Sequence, residues 1–440
     1  KSATYANAPA GMFFVGDPGM PAGGTQGSYG HLAPRLGLIW DPQGDGRMSV
    51  RASYGVLYDF PQLQNWNRFG VNPPFASAIN IFSPKGGFTD PYLDYPGGNP
   101  FPLPFPPKGD APFPAGGQYI NLPLALRPTY MQQWNLSVQR QVAQDWLFSA
   151  SYIGNKTTHR LLAEQMNYAV FLPGPGASTV ANTNARRILS RERPADGALV
   201  SSLMRGDDGG NANYNALLLS AKRRLSRNFS LLVNYTWSHC LADGDISGGL
   251  GGSEYQDPAN RGADYGNCIS DIRQMFNSSL VAMSPRFTGR WAQRLLGDWR
   301  SSAIITRRTG FWFSVASGRD ASLTSIGADR PDAIGTPRLS GPTLDQWFNT
   351  AAFRLNSAGT FGNAGKNVLE GPGAFAFDLA LMRMISVTER TSLEFRFEGF
   401  NVLNHAAFNN PRASMNDANF GRVLGAANPR ILQLALKLSF

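Results

Sequence analysis

Hydrophobic residues in this chain recur at every second position, in segment after segment. In 431–440, ILQLALKLSF, the residues Leu432, Leu434, Leu436, Leu438 and Phe440 share one parity, and Gln433, Ala435, Lys437 and Ser439 share the other. Successive side chains of a strand point to opposite faces, so a period of two predicts a strand with one apolar and one polar face. The stretch 391–403, TSLEFRFEGFNVL, sets Leu393, Phe395 and Phe397 against Glu394, Arg396 and Glu398. Before it, FAFDLALMR sets Phe375, Phe377, Leu379 and Leu381 against Ala376, Asp378, Ala380 and Met382. The residues Thr388, Glu389 and Arg390 between them predict the turn of an antiparallel hairpin.

The same unit recurs upstream. WNLSVQRQ (134–141) and WLFSASY (146–152) flank the short stretch Ala143–Asp145. YNALLLSAKRRL and NFSLLVNYTWSH flank Leu225–Asn228, and near the start PRLGLIW and RMSVRASYGVLYDF flank Asp41–Gly46. Weaker strands are expected near 271–284 and 298–310, for about eleven in all. Short turns follow the first, third, fifth and ninth of them. The connections roughly at 60–129, 157–211, 240–270, 311–372 and 404–428 are long. GGNPFPLPFPPKGDAPFP (97–114) cannot be a central strand, because proline removes ladder donors; an extended loop is expected there.

Two architectures use such alternation. In a soluble β-sandwich the apolar faces form the core. In a membrane β-barrel they meet lipid, and closure satisfies every backbone polar group. Segment lengths near the 9–11 residues of a tilted spanning strand favour the barrel, as do short turns alternating with long loops. Composition agrees: charged residues are only 16% and aromatics 12%, yet no apolar run is long enough for a spanning helix. The expected fold is therefore all-β, a transmembrane antiparallel β-barrel with long extracellular loops. Asp378, Glu394, Arg396, Glu398 and Lys437 are expected to face the lumen, as a substrate path or as a salt-bridged network. Trp40, Tyr58, Trp134, Trp146, Tyr152 and Trp237 are expected at the membrane interfaces, where aromatic girdles form. The loop aromatics Phe101, Phe105, Phe113 and Trp347 could hold a ligand or pack the loops together. An odd strand count, an opening without Met and an end inside a strand lead us to expect a portion of a larger barrel, with residues 1–30 in an external loop.

The net charge of +10 is scattered, with no basic tract of the kind that grips nucleic acid; anionic lipid is the better partner. Cys240 and Cys268 are either one bridge or two separate thiols, and their shared polar, Gly-rich setting favours a loop staple. His31, His159, His239 and His405 belong to no H-E-x-x-H pattern, no Ser/His/Asp set stands out, and no enzyme activity is expected. The Asp–Gly clusters GDPG, DPQGDG, MRGDDGG and LADGDISGG offer calcium-type oxygens without EF-hand spacing, so turn chemistry is the expectation, with no metal or cofactor. GGLGG (248–252) lacks a following helix and is not expected to cradle phosphate.

The runs PRLGLIWDPQGDG, QQWNLSVQRQV, SASYIGNKTTHRL, NYNALLLSAKRRLSRNFSLLVNYTWSHC, FEGFNVLNHAAFNNP and PRILQLALKLSF, in that order, resemble the C-terminal barrel half of TonB-dependent outer-membrane receptors. The closest flavour is the Oar-like group, whose members often carry an upstream carboxypeptidase-regulatory-like domain. The resemblance implies a 22-stranded barrel, half of it supplied by the eleven strands here. It implies that 1–440 is the C-terminal portion of one barrel domain, with the plug and TonB box outside this chain. It also implies uptake of a small ligand bound by the external loops, coupled through the TonB complex. The terminal Leu436, Leu438 and Phe440 resemble the signal read by the barrel-assembly machinery. A surface barrel serving adhesion without active transport is the alternative reading.

Overall fold

The computed structural model describes residues 1–59, 63, 67–226, 228–244, 255–327 and 329–440. GGLGG and the end of LADGDISGG lie outside these residues. Eleven strands follow one another across a single sheet: β1 Arg35–Trp40, β2 Met48–Tyr58, β3 Tyr130–Gln141, β4 Trp146–Gln165, β5 Val200–Ser226, β6 Phe229–Asp243, β7 Gln274–Met283, β8 Trp299–Arg308, β9 Ala374–Ser386, β10 Ser392–Phe400 and β11 Ile431–Ser439. Every neighbouring pair is antiparallel, and sheet order is sequence order. Two short strands join at its margin: Gly117–Asn121 pairs parallel with β5, and Tyr265–Asn267 pairs with β6. The sheet does not close; β1 and β11 each have one neighbour.

The register carries the alternation across the whole wall. Residues directly opposite in an antiparallel pair share a face. One row runs Leu38, Ala52, Leu136, Tyr152, Leu217, Trp237, and another runs Leu231, Leu280, Ala303, Leu379, Gly399, Leu432. On the other face Ser137 and Ser151 stand opposite each other, with their hydroxyls hydrogen-bonded at 2.8 Å. The weak segments near 271–284 and 298–310 are β7 and β8, and their rows fall in phase with the rest.

Among the described residues no second sheet covers the apolar rows. Leu136, Tyr152, Trp237, Leu434 and Leu436 are all exposed, and no large apolar residue of these rows is among the buried ones. A sandwich would place its core there. The buried apolar clusters instead lie among the long connections. Phe313, Val315, Phe348 and Phe353 form one, and Tyr5, Phe113, Tyr119 and Val200 a second. Leu122, Ala163 and Met204 form a third.

One expectation changes, and two other connections gain detail. The connections placed at 157–211 and 240–270 are partly strand: β4 has 20 residues, β5 has 27 and β6 has 15, well beyond a spanning length. Paired backbone above the wall gives the loops a scaffold that alternation alone does not reveal. The Pro-rich stretch 97–114 has no strand, as expected, and Phe113 at its end packs in the second cluster. The connection from β7 to β8 is neither a tight turn nor a long loop, but holds a short helix, α1 Arg290–Leu296.

All the tight turns lie at one end of the sheet, and the C-terminal end of β11 lies there too, with Ser439 opposite Ser392. Residues 1–20 lie at the other end, where Ala6 donates its N–H to the Gly109 carbonyl and Ala10 donates to Asp196.

Candidate functional site

Asp378, Glu394, Arg396, Glu398 and Lys437 stand on the polar face opposite the apolar rows. Glu394 is opposite Lys437, Glu398 is opposite Ala380, and Asp378 is opposite Ile304, two residues along from Ala380. Arg396 sits between two carboxylates of its own strand, 2.6 Å from Glu394 and 3.7 Å from Glu398. Asp378 accepts the N–H of Asn401 at 2.8 Å and so fixes the chain as it leaves β10. The arrangement is a charged band on one face of β9–β11 in which the arginine is already engaged by carboxylates.

Trp40, Tyr58, Trp134, Trp146, Tyr152 and Trp237 all fall on the apolar face. Trp134 lies over Gly154 of β4, where a Cβ would collide with the indole. Tyr58 packs between His31 and Tyr130, with ring centroids 4.9 and 5.8 Å away. Leu436, Leu438 and Phe440 end the same face and are exposed. Several arginines also occupy apolar rows, which parity alone did not single out: Arg140, Arg223 and Arg383 toward the turn end, and Arg307 at the other end. Arg223 is buried against Phe229, its guanidinium 3.5 Å from the ring centroid, and pairs with Asp145 of the adjoining turn at 2.9 Å. Such positions suit long side chains that keep an apolar stem against the face and the charge at its rim.

The long connections form a cap held by charge as much as by apolar packing. Asp208 of β5 takes a bidentate grip from Arg127, at 2.6 and 3.1 Å. Asp207 accepts from Tyr255 at 2.8 Å and pairs with Arg261. Cys240 and Cys268 are joined, with Cα atoms 5.4 Å apart, and close a loop of sequence separation 28. A bridge over such a span stabilises by about 3–4 kcal/mol on the loop-entropy account. His239, beside it, lies 3.1 Å from Asn267 and is not free to act on a thiol. In DPQGDG the aspartate is held by local bonds: Asp41 accepts three backbone N–H groups, from Gln43, Gly44 and Gly46. The partners of Asp207 and Asp208 lie about 50 to 80 residues away in sequence, so no local spacing could have named them. Of the loop aromatics, Phe113 and Trp347 pack inside the cap, while Phe105 is exposed.

Asp17 anchors the first residues. Its carboxylate accepts from the Ser2 and Thr4 hydroxyls and from the N–H groups of Ala3, Thr4 and Phe14, all at 2.7–2.9 Å. Burial pushes its pKa up, but the bonds from Phe14, Ser2 and Thr4 outweigh it and hold the group well below the ordinary 3.8. A depressed folded-state pKa contributes stability above the unfolded value, and this is lost as pH falls through the folded value. Hydrogen exchange should therefore show residues 1–20 protected above about pH 5 and progressively less so below pH 4. Asp17→Asn should remove that pH dependence and open the segment at neutral pH. Equal protection in the variant would sink this assignment.

A cleft of about 880 Å³ opens at the long-loop end, lined by Tyr235, Phe276, Arg307 and Phe375 of one apolar-face row, with Glu370 and His405 above them. It thus lies on the face opposite the Glu394–Arg396–Glu398 band.

Among solved structures the chain is similar to an outer-membrane transporter from Escherichia coli, YddB, at 9% identity and a TM-score of 0.48, covering 91% of this chain and 39% of that one. It is similar to the ferripyoverdine receptor of the Pseudomonas aeruginosa outer membrane at 11% identity and a TM-score of 0.43, covering 94% and 33%. It is also similar to the FrpB iron transporter of Neisseria meningitidis at 11% identity and a TM-score of 0.40, covering 93% and 39%. The chain thus spans about a third to two fifths of these neighbours' lengths. Comparison with curated proteins gives no match. The profile of the outer membrane beta barrel domain matches residues 1–433, nearly the whole chain. With eleven antiparallel strands, an uncovered apolar face and a charged face behind it, the chain belongs to the outer membrane β-barrel domain family and is a protein of the outer membrane.

Proposed function

We infer that this chain is the C-terminal barrel portion of a TonB-dependent outer-membrane receptor, of the Oar-like group, that takes up a small ligand. The observation that carries the reading is the wall itself: apolar rows left exposed along one face, and the band Asp378, Glu394, Arg396, Glu398 and Lys437 on the other. The apolar rows face lipid, with Trp40, Tyr58, Trp134, Trp146, Tyr152 and Trp237 toward the interfaces. The charged band lines the lumen, and the turn end faces the periplasm. Leu436, Leu438 and Phe440 present the strand that the barrel-assembly machinery recognises.

The direction of the edge strands supports the size. β1 and β11, first and last of eleven alternating strands, run the same way. A wholly antiparallel barrel can then close only with an odd number of further strands, and two copies inserted in the same orientation cannot close one, because β11 of each would meet β1 of the other in parallel. Eleven more would give the even count of 22 that suits a plugged lumen. The cap built on β4–β6 is the ligand-binding surface, and the plug and TonB box belong to the remainder of the protein.

The test is uptake by cells carrying the full-length protein, offered a ferric siderophore, a malto-oligosaccharide and an oligopeptide. One of them should accumulate, and a protonophore or loss of TonB should abolish the accumulation. If deletion changes cell adhesion while no offered compound shows energy-dependent uptake, the adhesion reading replaces transport.

A further inference from the structure

The short helix α1 between β7 and β8 has the sequence RWAQRLL. At about 100° per residue, Trp291, Leu295, Ala292 and Leu296 fall within one arc, while Arg290 and Arg294 fall together on the opposite side. The apolar arc has no cover: Trp291 is 73% exposed, Leu295 65% and Leu296 57%. The helix is nevertheless fixed in place. Gln293 accepts the Phe287 N–H at 2.8 Å and donates to Asp298 at 3.1 Å.

Its position follows from the sheet register. Trp299 donates its indole N–H to the Leu295 carbonyl at 3.0 Å, and Arg383 donates to the Arg294 carbonyl. Trp299 and Arg383 stand opposite each other, in the row that continues through Phe395 to Leu436. The helix is therefore tied to the apolar face of the wall, at the turn end, and not beneath the charged face. Arg383 also lies over the Trp299 ring, 5.5 Å from its centroid, which locks the two tethers together.

We propose that α1 is an interfacial anchor that inserts Trp291, Leu295 and Leu296 into the periplasmic leaflet and binds the phosphates of anionic phospholipids with Arg290 and Arg294. The proposal rests on the reading that the apolar rows face lipid and the turn end faces the periplasm. A helix beside a lipid-facing row meets lipid before any soluble partner. An apolar arc flanked by arginines is the pattern that lies in a membrane interface and favours anionic headgroups. Without lipid, three large apolar side chains would face water beside a wall that has no other need of them.

The test uses the full-length protein in nanodiscs of phosphatidylcholine with phosphatidylglycerol, with Cys240 and Cys268 oxidised and any cysteine outside residues 1–440 replaced by serine, so that only an introduced cysteine takes a spin label. A label at Leu295→Cys should be relaxed by oxygen and shielded from an aqueous nickel chelate, as should one at Leu432→Cys in an apolar row. Nickel access at 295 with shielding at 432 overturns the anchor while the lipid-facing assignment stands. Nickel access at both positions refutes that assignment itself. Native mass spectrometry reads the headgroup contact: Arg290→Gln with Arg294→Gln should reduce phosphatidylglycerol retention roughly 30-fold. Unchanged retention overturns the headgroup part of the proposal.

Discussion

Leu379→Arg should block assembly of the barrel, whereas Ala380→Arg, one residue further along β9, should be tolerated. The two positions have the same backbone and adjacent register but opposite faces. Leu379 lies mid-wall between Ala303 and Gly399, in the row that includes Leu231, Leu280 and Leu432. In the lipid-facing assignment its side chain sits in hydrocarbon, where an arginine costs about 2–4 kcal/mol near the midplane. Ala380 stands opposite Ser302 and Glu398, so a new arginine there gains a carboxylate partner on a wet face. The measurement is the urea midpoint of the full-length protein refolded into bilayers, together with the heat-modifiable fraction on a gel. Equal midpoints for the two variants would refute the assignment of faces.

Breaking the Arg330–Asp264 pair should loosen the cap and leave the wall intact. Both residues are buried, Arg330 at 7% and Asp264 at 1% exposure. Arg330 pairs with Asp264 and also donates to the carbonyls of Ala364 at 2.8 Å and Ala263 at 2.9 Å. Gln256 adds two crossings, accepting the Arg330 N–H at 2.7 Å and donating to the Gly362 carbonyl at 3.0 Å. Three stretches far apart in sequence, 255–264, 329–331 and 362–364, thus meet at one guanidinium. Removing one partner strands a buried charge, a change that costs about 3–5 kcal/mol. Asp264→Ala should therefore abolish slow hydrogen exchange in these stretches while β8–β10 keep theirs. Pairing Asp264→Leu with Arg330→Met should restore much of the protection, because an apolar pair of similar volume removes the stranded charge. If Asp264→Ala leaves exchange in the three stretches unchanged, the pair does not hold the cap.

The two predictions divide along the line between what the sequence determined and what only the tertiary structure decided. The sequence determined the wall. Eleven strands, their tight turns and the common end of those turns with the C-terminus were legible because the period of two is local. Each residue's face follows from its own parity, and the hairpin turns then set the register. Even the weak segments β7 and β8 fell in phase, since one register error would have turned a whole row over. The charged band at Glu394, Arg396, Glu398 and Lys437 was legible for the same reason.

The cap was not legible. Its polar partners are separated by up to 186 residues, as between Ala10 and the Asp196 carboxylate, and no periodicity links them. The extensions of β4 and β5 past the spanning length, through GNKTTHRLLAEQ and VSSLMRGDDGG, have a weaker alternation because one face meets folded loops rather than lipid or lumen. The helix α1 is only seven residues long, too short to give a 3.6-residue period against its surroundings. Its sequence shows that the helix is amphipathic. Which side of the wall it lies on is set by Trp299 and Arg383, whose faces are fixed through the pairing of β8 with β9, about 80 residues away in sequence. Alternation is enough to define a surface, but what rests on that surface depends on contacts that only the folded chain brings together.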